Sequence, residues 1–486
     1  MKNLTSRRWI ATRAVCALAM AALAGAGSVR AGTLAVTSLN DSGPGSLREA
    51  ISSAVSGDTI TFSVKGTITL TSGALTLDKD LEIQGPGPKK LKISGNHVSR
   101  VFIIASGDVT LAGMTISDGL ADANAPVLPS AGGGIFNLGR LILSNVVVSG
   151  NQALGDRTSS PLGYPGLAAG GGVANFGVLA VVDCSFIGNR VRGGDGSVSL
   201  NPSFLAGLGY GGAISHVDAV SLTVTGSTFR QNQAVGGSGC FSPILSGHGS
   251  GGAIGSQAAM TVSDSRFDHN VALAGDNNAS MLPYGFGPNK ATAGAINISG
   301  GTAAIDGCAF RHNQAIGGAG GIGSGGAIVV TDVVGVGVDA TIDNCTVAHN
   351  RALGGPTVAP GLAGDGLGGG LACIAGATLM VRNSTVAHNH ARGGEAEFGG
   401  SAGNGLGGGF YEDAGRTAPL DPGSSTLALE GTLVTFNLAL GGEAADDDSD
   451  GQGIGGGVYA LDLFTYDSAT VIQKNHASTI GDNVWP

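Results

Sequence analysis

The sequence predicts an all-β fold: a single-stranded right-handed parallel β-helix, a solenoid with a short N-terminal capping helix and long loops on one side. Three observations predict it. A unit that opens on glycines and an apolar residue and closes on asparagine recurs nine times. The openings are Ile135, Val173, Ile214, Ile254, Ile296, Ile328, Leu371, Phe410 and Val458; the closings are Asn151, Asn189, Asn232, Asn270, Asn313, Asn350, Asn389, Asn437 and Asn475. Successive openings lie 32 to 48 residues apart, a period that marks stacked repeats. Within a unit such as 211–232 (GGAISHVDAVSLTVTGSTFRQN), short runs alternate with period two between Gly and Asn and read as three strands. No helix separates them, which excludes a doubly wound sheet and leaves parallel coils stacked about 4.8 Å apart.

The elements follow in chain order. Residues 1–31 read as a signal peptide: Lys2, Arg7, Arg8 and Arg13 form a basic start, 14–27 is apolar, and Val29-Arg30-Ala31 offers a cleavage site. The apolar stretch is too short to span a bilayer, and no other stretch is long enough. Ser6-Arg7-Arg8-Trp9-Ile10 resembles a twin-arginine signal, although the general secretory route is the expectation. Export to the periplasm, cell surface or medium follows. Residues 32–131 form the N-terminal cap and first coils. Ser46 and Glu49 make a capping box that opens a helix over the first exposed strand edge, and 59–64, 67–71, 81–83, 91–93, 101–104 and 109–116 read as early strands. Residues 132–486 hold the nine repeats and an end segment. There Leu141, Leu179, Leu222, Met260, Ile305, Ile342 and Leu379 are expected to stack inside. The 15 to 26 residues between units are read as loops leaving one corner, where repeat proteins place binding functions.

The glycines and asparagines have physical roles in this scheme. Opening glycines supply positive φ at one corner. The closing Asn is expected to adopt left-handed backbone at another, and its amide to hydrogen-bond the Asn above and below. Gly is 88 of 486 residues but clusters at repeat boundaries, which excludes collagen. Removing residues 1–31 takes five basic residues (Lys2, Arg7, Arg8, Arg13, Arg30) and no acidic one from 25 Lys+Arg and 35 Asp+Glu, so the remainder carries −15. Such a chain repels phosphate backbones, and nucleic acid is not an expected partner.

Five cysteines remain beyond the signal. Cys184, Cys308 and Cys345 share the position five residues before the closing Asn, where other units carry Ser227, Ser265, Ser384, Thr432, Thr470 or Val146. Cysteine stands in there for a small buried residue. The odd count argues against a disulfide framework, while one bridge between Cys308 and Cys345 on neighbouring rungs stays open.

Gly-Gly-Ala-Ile followed by Phe-x-x-Asn (Phe229/Asn232, Phe267/Asn270, Phe310/Asn313, and Phe186/Asn189 after Gly-Gly-Gly-Val) resembles the repeat of the polymorphic outer-membrane protein family of bacterial surface β-helices. Ser46-Leu47-Arg48-Glu49-Ala50 is similar to the N-terminal motif of many secreted β-helix repeat proteins. The resemblance covers nearly all of the chain beyond the signal and implies a surface protein, often an adhesin. Autotransporting members end in a membrane barrel; eleven residues follow Asn475 here, so no such barrel is expected in this chain.

Candidate chemistry is concentrated beside the closing Asn. His269, His312, His349 and His388 precede it in four consecutive units, with Arg230, Arg311, Arg351, His390 and Arg392 around them. Stacked coils would align these into a His/Arg stripe able to bind an anion, with His269, His312, His349, His388 or Arg311 as candidate catalytic groups and Arg230, Arg351, His390 and Arg392 as binding groups. Repeat duplication explains four copies of one residue more readily than catalysis, which needs unlike residues converging. Asp446, Asp448 and Asp450 match the start of a calcium loop, but the twelfth position is Gly457, which excludes an EF-hand. No cofactor is required; calcium is the one candidate. Asp183, Asp264, Asp306 and Asp343 read either as a carboxylate row for glycoside hydrolysis or as outward surface residues. Nucleophile elbows, phosphate loops and metal-spaced Cys/His pairs do not appear.

The function these residues suggest is extracellular binding or adhesion to a polysaccharide or a surface protein. The alternative is a polysaccharide lyase or glycoside hydrolase that uses the β-helix groove.

Overall fold

A computed structural model describes residues 31–486, apart from 125–129, 158–164, 201–204, 244, 281–287, 333–334, 336, 358–360, 398, 414–423 and 446–448. Residues 1–30, nearly all of the segment 1–31 read as a signal peptide, lie outside the described residues. The chain forms a right-handed parallel β-helix. Five strands per coil, rather than three, define five long sheets. In the coil that begins at Gly211 they are Ile214–His216 (sheet I), Ser221–Thr225 (II), Thr228–Arg230 (III), Gln233–Val235 (IV) and Gly249–Ser250 (V). Sheets I to V have 12, 13, 12, 10 and 8 strands, each joined to the equivalent strand of the next coil. Strands of two or three residues in sheets IV and V carry too little alternation to be read from sequence.

Sheet II runs unbroken from Thr33–Val36 to Leu463–Tyr466, so the early coils and the repeats share one stack. Helix α1 (Leu47–Ser53) starts it. The Glu49 N–H donates to Ser46 Oγ (3.2 Å), and the Glu49 carboxylate accepts from the Gly45 N–H (2.5 Å). Leu47, Ala50 and Ile51 face inward and join the core of the first coils.

Two aliphatic stacks, not one, fill sheet II. Leu141, Leu179, Leu222, Met260, Ala303, Ala340 and Leu379 stand in one register; Leu143, Val181, Val224, Val262, Ile305, Ile342 and Val381 stand in the other. The expected assignment of Ile305 and Ile342 to the Leu141 stack was therefore off by one pleat. The alanines at 303 and 340 hide the alternation that sets register. From sheet III, Phe186, Phe229, Phe267 and Phe310 stack 4.7 to 4.8 Å apart, with planes within 8° of parallel.

The closing asparagines form an uninterrupted buried ladder. Asn270 is representative: its Nδ2 donates to Asn313 Oδ1 (2.9 Å) and to the Phe229 carbonyl (3.0 Å). Its Oδ1 accepts the Asn232 main-chain N–H (3.1 Å) and Nδ2 (2.9 Å). Both donors and both acceptor sites of the amide are used, as a polar group without water requires. The ladder begins with the Gly119 N–H on Asn151 and ends with Asn475 on Asn483. The left-handed residue at this corner is not the Asn but the one before it: φ is 57° at Gln231, 55° at His269, His312 and His388, and 58° at His349. An inward amide at full hydrogen-bonding capacity leaves the turn to its neighbour. Cys184, Ser227, Ser265, Cys308, Cys345 and Ser384 make a second ladder, each accepting a main-chain N–H from the coil before (3.0 to 3.4 Å). All five cysteines are free thiols, so Cys308 and Cys345 are neighbours without a bond.

The segments between units are not wholly loop. After sheet IV the backbone narrows to a glycine neck that zigzags between outgoing and returning strands. The Gly355 N–H donates to Gly321, Gly364 to Gly355, Gly394 to Gly364, Gly403 to Gly394, Gly442 to Gly403 and Gly451 to Gly442, at 2.8 to 3.0 Å. A Cβ on Gly364 would lie 1.7 Å from the Gly321 carbonyl oxygen, and one on Gly403 1.9 Å from that of Gly364. Beyond the neck the excursions stack as a fin: Thr357 bridges Ala396, Ala396 bridges Ala444, and Phe241–Ser242 pairs with Ala279–Ser280.

Three outcomes follow. Asn270→Ala strands the Asn232 amide and the Phe229 carbonyl and lowers the unfolding free energy by about 3 kcal/mol in urea denaturation. Gln257→Ala, exposed on the same coil, changes it by less than about 0.5 kcal/mol. Gly403→Ala forces the neck apart and raises the rate of limited proteolysis between residues 395 and 403 above that of the wild type.

Candidate functional site

From Gln231 onward the left-handed corner between sheets III and IV carries an exposed side chain on each coil. Histidine is among the residues that tolerate this backbone, and four occupy it in succession. The ring centroids of His269 and His312 lie 4.7 Å apart, those of His312 and His349 5.4 Å, and those of His349 and His388 4.9 Å; Phe436 continues the stack at 5.1 Å. The rings press face to face along the solenoid axis, and all four histidines and Phe436 are exposed.

One carboxylate interrupts the stripe. The last residue of the sheet III strand is Arg230, Asp268, Arg311 and then Ala348 on successive coils. Asp268 Oδ1 meets His269 Nδ1 at 3.0 Å and His312 Nδ1 at 3.4 Å, and Arg266 approaches Oδ2 at 3.5 Å. Burial opposes ionisation of Asp268, yet the His312 hydrogen bond and the charges on His269 and Arg266 hold its carboxyl below the usual range. His349 is pushed below the ordinary imidazole value, by partial burial and by His388, His312 and Arg311.

The remaining residues of the expected stripe lie on the other side of the Asn ladder. Arg351 and His390 are neighbours in sheet IV, while Arg392 sits two residues on from His390 and binds Glu395 at 2.7 Å. His390 is lowered by burial and by Arg351 and Arg392. The His/Arg set is therefore two rows split by a corner, because residues before and after the turning Asn fall on different sheets. Along sheet IV a groove of about 420 Å³ runs past Arg190, Arg192, Val235, Ser238, Leu273 and Asp276. The four aspartates also separate. Asp183 and Asp264 occupy a left-handed turn (φ 52° and 49°), whereas Asp306 and Asp343 end sheet II strands and accept from Asn344 (2.8 Å) and Asn383 (3.3 Å). They do not form one carboxylate row. Of the acidic loop, Asp446 and Asp448 lie outside the described residues; Asp450 is exposed and accepts the Ala444 N–H at 2.6 Å.

A second set escaped the sequence reading, since its residues fall partly in segments read as loop. The outer face of sheet I packs on sheet V. That seam is apolar at one end (Ile103, Phe136, Ala169, Ala174) and at the other (Val329, Leu367, Ala372, Tyr411, Tyr459). Between them it is polar: Tyr210, whose ring lies against Gly255, with His248, Lys290, Thr292 and Asn297. Ser215 Oγ, Ser250 Oγ, Asn297 Oδ1 and Ser324 Oγ are buried there without a hydrogen-bond partner among the described residues. Burial pushes the Lys290 ammonium down to about 8, and burial with Lys290 lowers His248. At the last apolar coils the Tyr411 hydroxyl donates to Asp413 Oδ2 (2.8 Å). Between these two, Glu412 turns into the core corner, where its Oε2 accepts the Leu461 and Asp462 N–H groups at 3.0 and 2.8 Å. Burial outweighs those bonds and pushes Glu412 up to about 7.

No protein-family model matches the chain, and no curated protein matches it. Among solved structures it is similar to a mannuronic acid specific polysaccharide family 6 lyase from human gut microbiota: 10% identity over 91% of this chain and 89% of that one, TM-score 0.33. A PL6 alginate lyase in complex with trisaccharide shares 12% identity over 94% of this chain and 93% of that one, TM-score 0.37. The catalytic domain of a GH87 α-1,3-glucanase in complex with nigerose shares 11% over 90% of this chain and 65% of that one, TM-score 0.37. The likeness is one of fold.

Glu412 yields a signed pH dependence. Its folded value near 7 exceeds the free value of 4.5, so the fold favours the protonated form. Stability conferred by that form falls as pH rises from about 4.5 to about 7 and is flat above. Glu412→Gln removes this segment of the pH–stability curve, measured by urea midpoints across the range, on the order of 2 kcal/mol end to end.

Proposed function

We propose that this chain is an exported β-helix that binds an extracellular polysaccharide carrying carboxylates, along the corner between sheets III and IV. The observation that supports the reading is the outward stack of His269, His312, His349, His388 and Phe436, spaced 4.7 to 5.4 Å, with Arg230 and Arg311 beside it. A rigid row of ring edges suits an extended polymer whose hydroxyl and carboxylate groups also recur. Each contact is weak, but a polymer held on several coils binds by avidity, and a preformed row costs little ordering entropy. Arginine adds planar donors for carboxylates. The chain as a whole carries −10, so this basic strip is local, and binding is expected to weaken with salt. Sheet IV, with Arg351, His390 and Arg392 on the far side of the ladder, extends the surface.

The reading is tested on a panel of acidic and neutral polysaccharides, scored for both binding and released reducing or unsaturated ends. Acidic chains bind, and Arg311→Ala with His349→Asn, which tolerates the left-handed backbone, weakens them about tenfold, a loss of ~1.4 kcal/mol, with unchanged thermal midpoints. Equal binding of the double variant sinks the assignment to this corner. Release of new ends overturns a purely binding role and makes the chain a lyase or hydrolase. Loss of binding in chelator that calcium restores would bring in Asp446, Asp448 and Asp450.

A further inference from the structure

We infer that Asp268, His269 and His312 form a binding site for a divalent transition ion of the zinc or copper type. The three residues are the one group of this kind among the described residues: their ligand atoms all lie within 4.8 Å of one another. His269 Nδ1 and His312 Nδ1 converge on the same oxygen of Asp268, at 3.0 and 3.4 Å. Metal bonds of 2.0 to 2.1 Å in a tetrahedral arrangement set ligand atoms about 3.3 Å apart, so the donor set is already near the required spacing.

The stack itself carries the mark of this convergence. Ring planes are 9°, 8° and 2° apart from His312–His349 through His388–Phe436, but 22° apart for His269–His312. The tilted pair is the one that shares Asp268. Nothing comparable exists higher in the stripe, because the position of Asp268 is Arg311, Ala348 and Ala387 on the next coils. Two imidazoles and one carboxylate suit zinc or copper(II) and are a poor set for calcium, which takes six to eight oxygens. Asp268 is only 13% exposed at its side chain, and Arg266 engages its other oxygen, which holds Oδ1 toward the imidazoles as an outer-shell partner would. Three protein ligands leave the fourth position on the solvent side, open to water or to a carboxylate brought by another molecule. The flanking Arg230 and Arg311 oppose a cation; both are exposed and screened by water and salt.

The inference does not depend on polysaccharide binding, and its test contains none. The purified protein, stripped with a chelator, is titrated with zinc against a chromophoric competitor and with copper(II) by electron paramagnetic resonance. One ion per chain is expected, with nitrogen hyperfine structure from two imidazoles. Asp268→Asn and His312→Gln each weaken binding at least about tenfold, ~1.4 kcal/mol. His388→Gln, in the same stripe away from the carboxylate, leaves it unchanged, and circular dichroism confirms that all three variants fold. Absence of saturable binding up to millimolar zinc or copper, or equal binding by Asp268→Asn, overturns the site.

Discussion

The buried amide ladder is the constraint on which the rest of this molecule depends. Each closing Asn must meet the one above and the one below, and this can happen only if every coil returns to the same corner at the same height. Coil length is free between corners and fixed at them. The openings are therefore separated by anything from 32 to 48 residues while the strand registers stay unbroken from Arg140–Ser144 to Thr426–Glu430. The hydroxyl and thiol ladder and the phenylalanine stack follow from that alignment. So does the outward histidine stripe, since a turn whose inner residue is saturated must hand its left-handed backbone to the residue before it.

Stacking also generates chemistry that no single coil contains. Asp268 and His269 are adjacent in sequence, but His312 arrives from 43 residues further on, and the three meet because both coils turn at the same asparagine position. The same register separates residues that look like partners. Arg392 and His388 lie four apart in sequence, yet His388 stands at the corner before the turning Asn and Arg392 ends the sheet IV strand after it. On a solenoid, distance along the chain is a poor guide to neighbourhood; equivalence of position is the better one.

The fold was legible because repetition multiplies a weak signal: nine closing asparagines and nine apolar openings leave one architecture. What stayed hidden had no pattern to multiply. Gln233–Val235 and Gly249–Ser250 are too short to alternate, so sheets IV and V read as loop. Ala303 and Ala340 blur the pleat, which displaced Ile305 and Ile342 to the wrong stack. The candidate site was half visible. The histidine column could be read from spacing, but the Asp268–His312 pairing spans a coil, and no short motif contains it. Tyr210, His248 and Lys290 carry no motif at all; their association depends on sheet V crossing the back of sheet I.

The glycine neck separates two kinds of sequence freedom. Side of the neck facing the coils, every residue answers to its counterparts above and below. On the far side, the fin is attached largely through the glycine backbone of the neck, with side-chain ties such as Arg392 on Glu395 and Ser197 on Gly194 beside it. A coil can thus exchange its fin for another, or lengthen it, while the junction remains the same peptide lattice. The architecture works as a socket with a uniform fitting, and variation in what the molecule displays can accumulate without renegotiating how it stands.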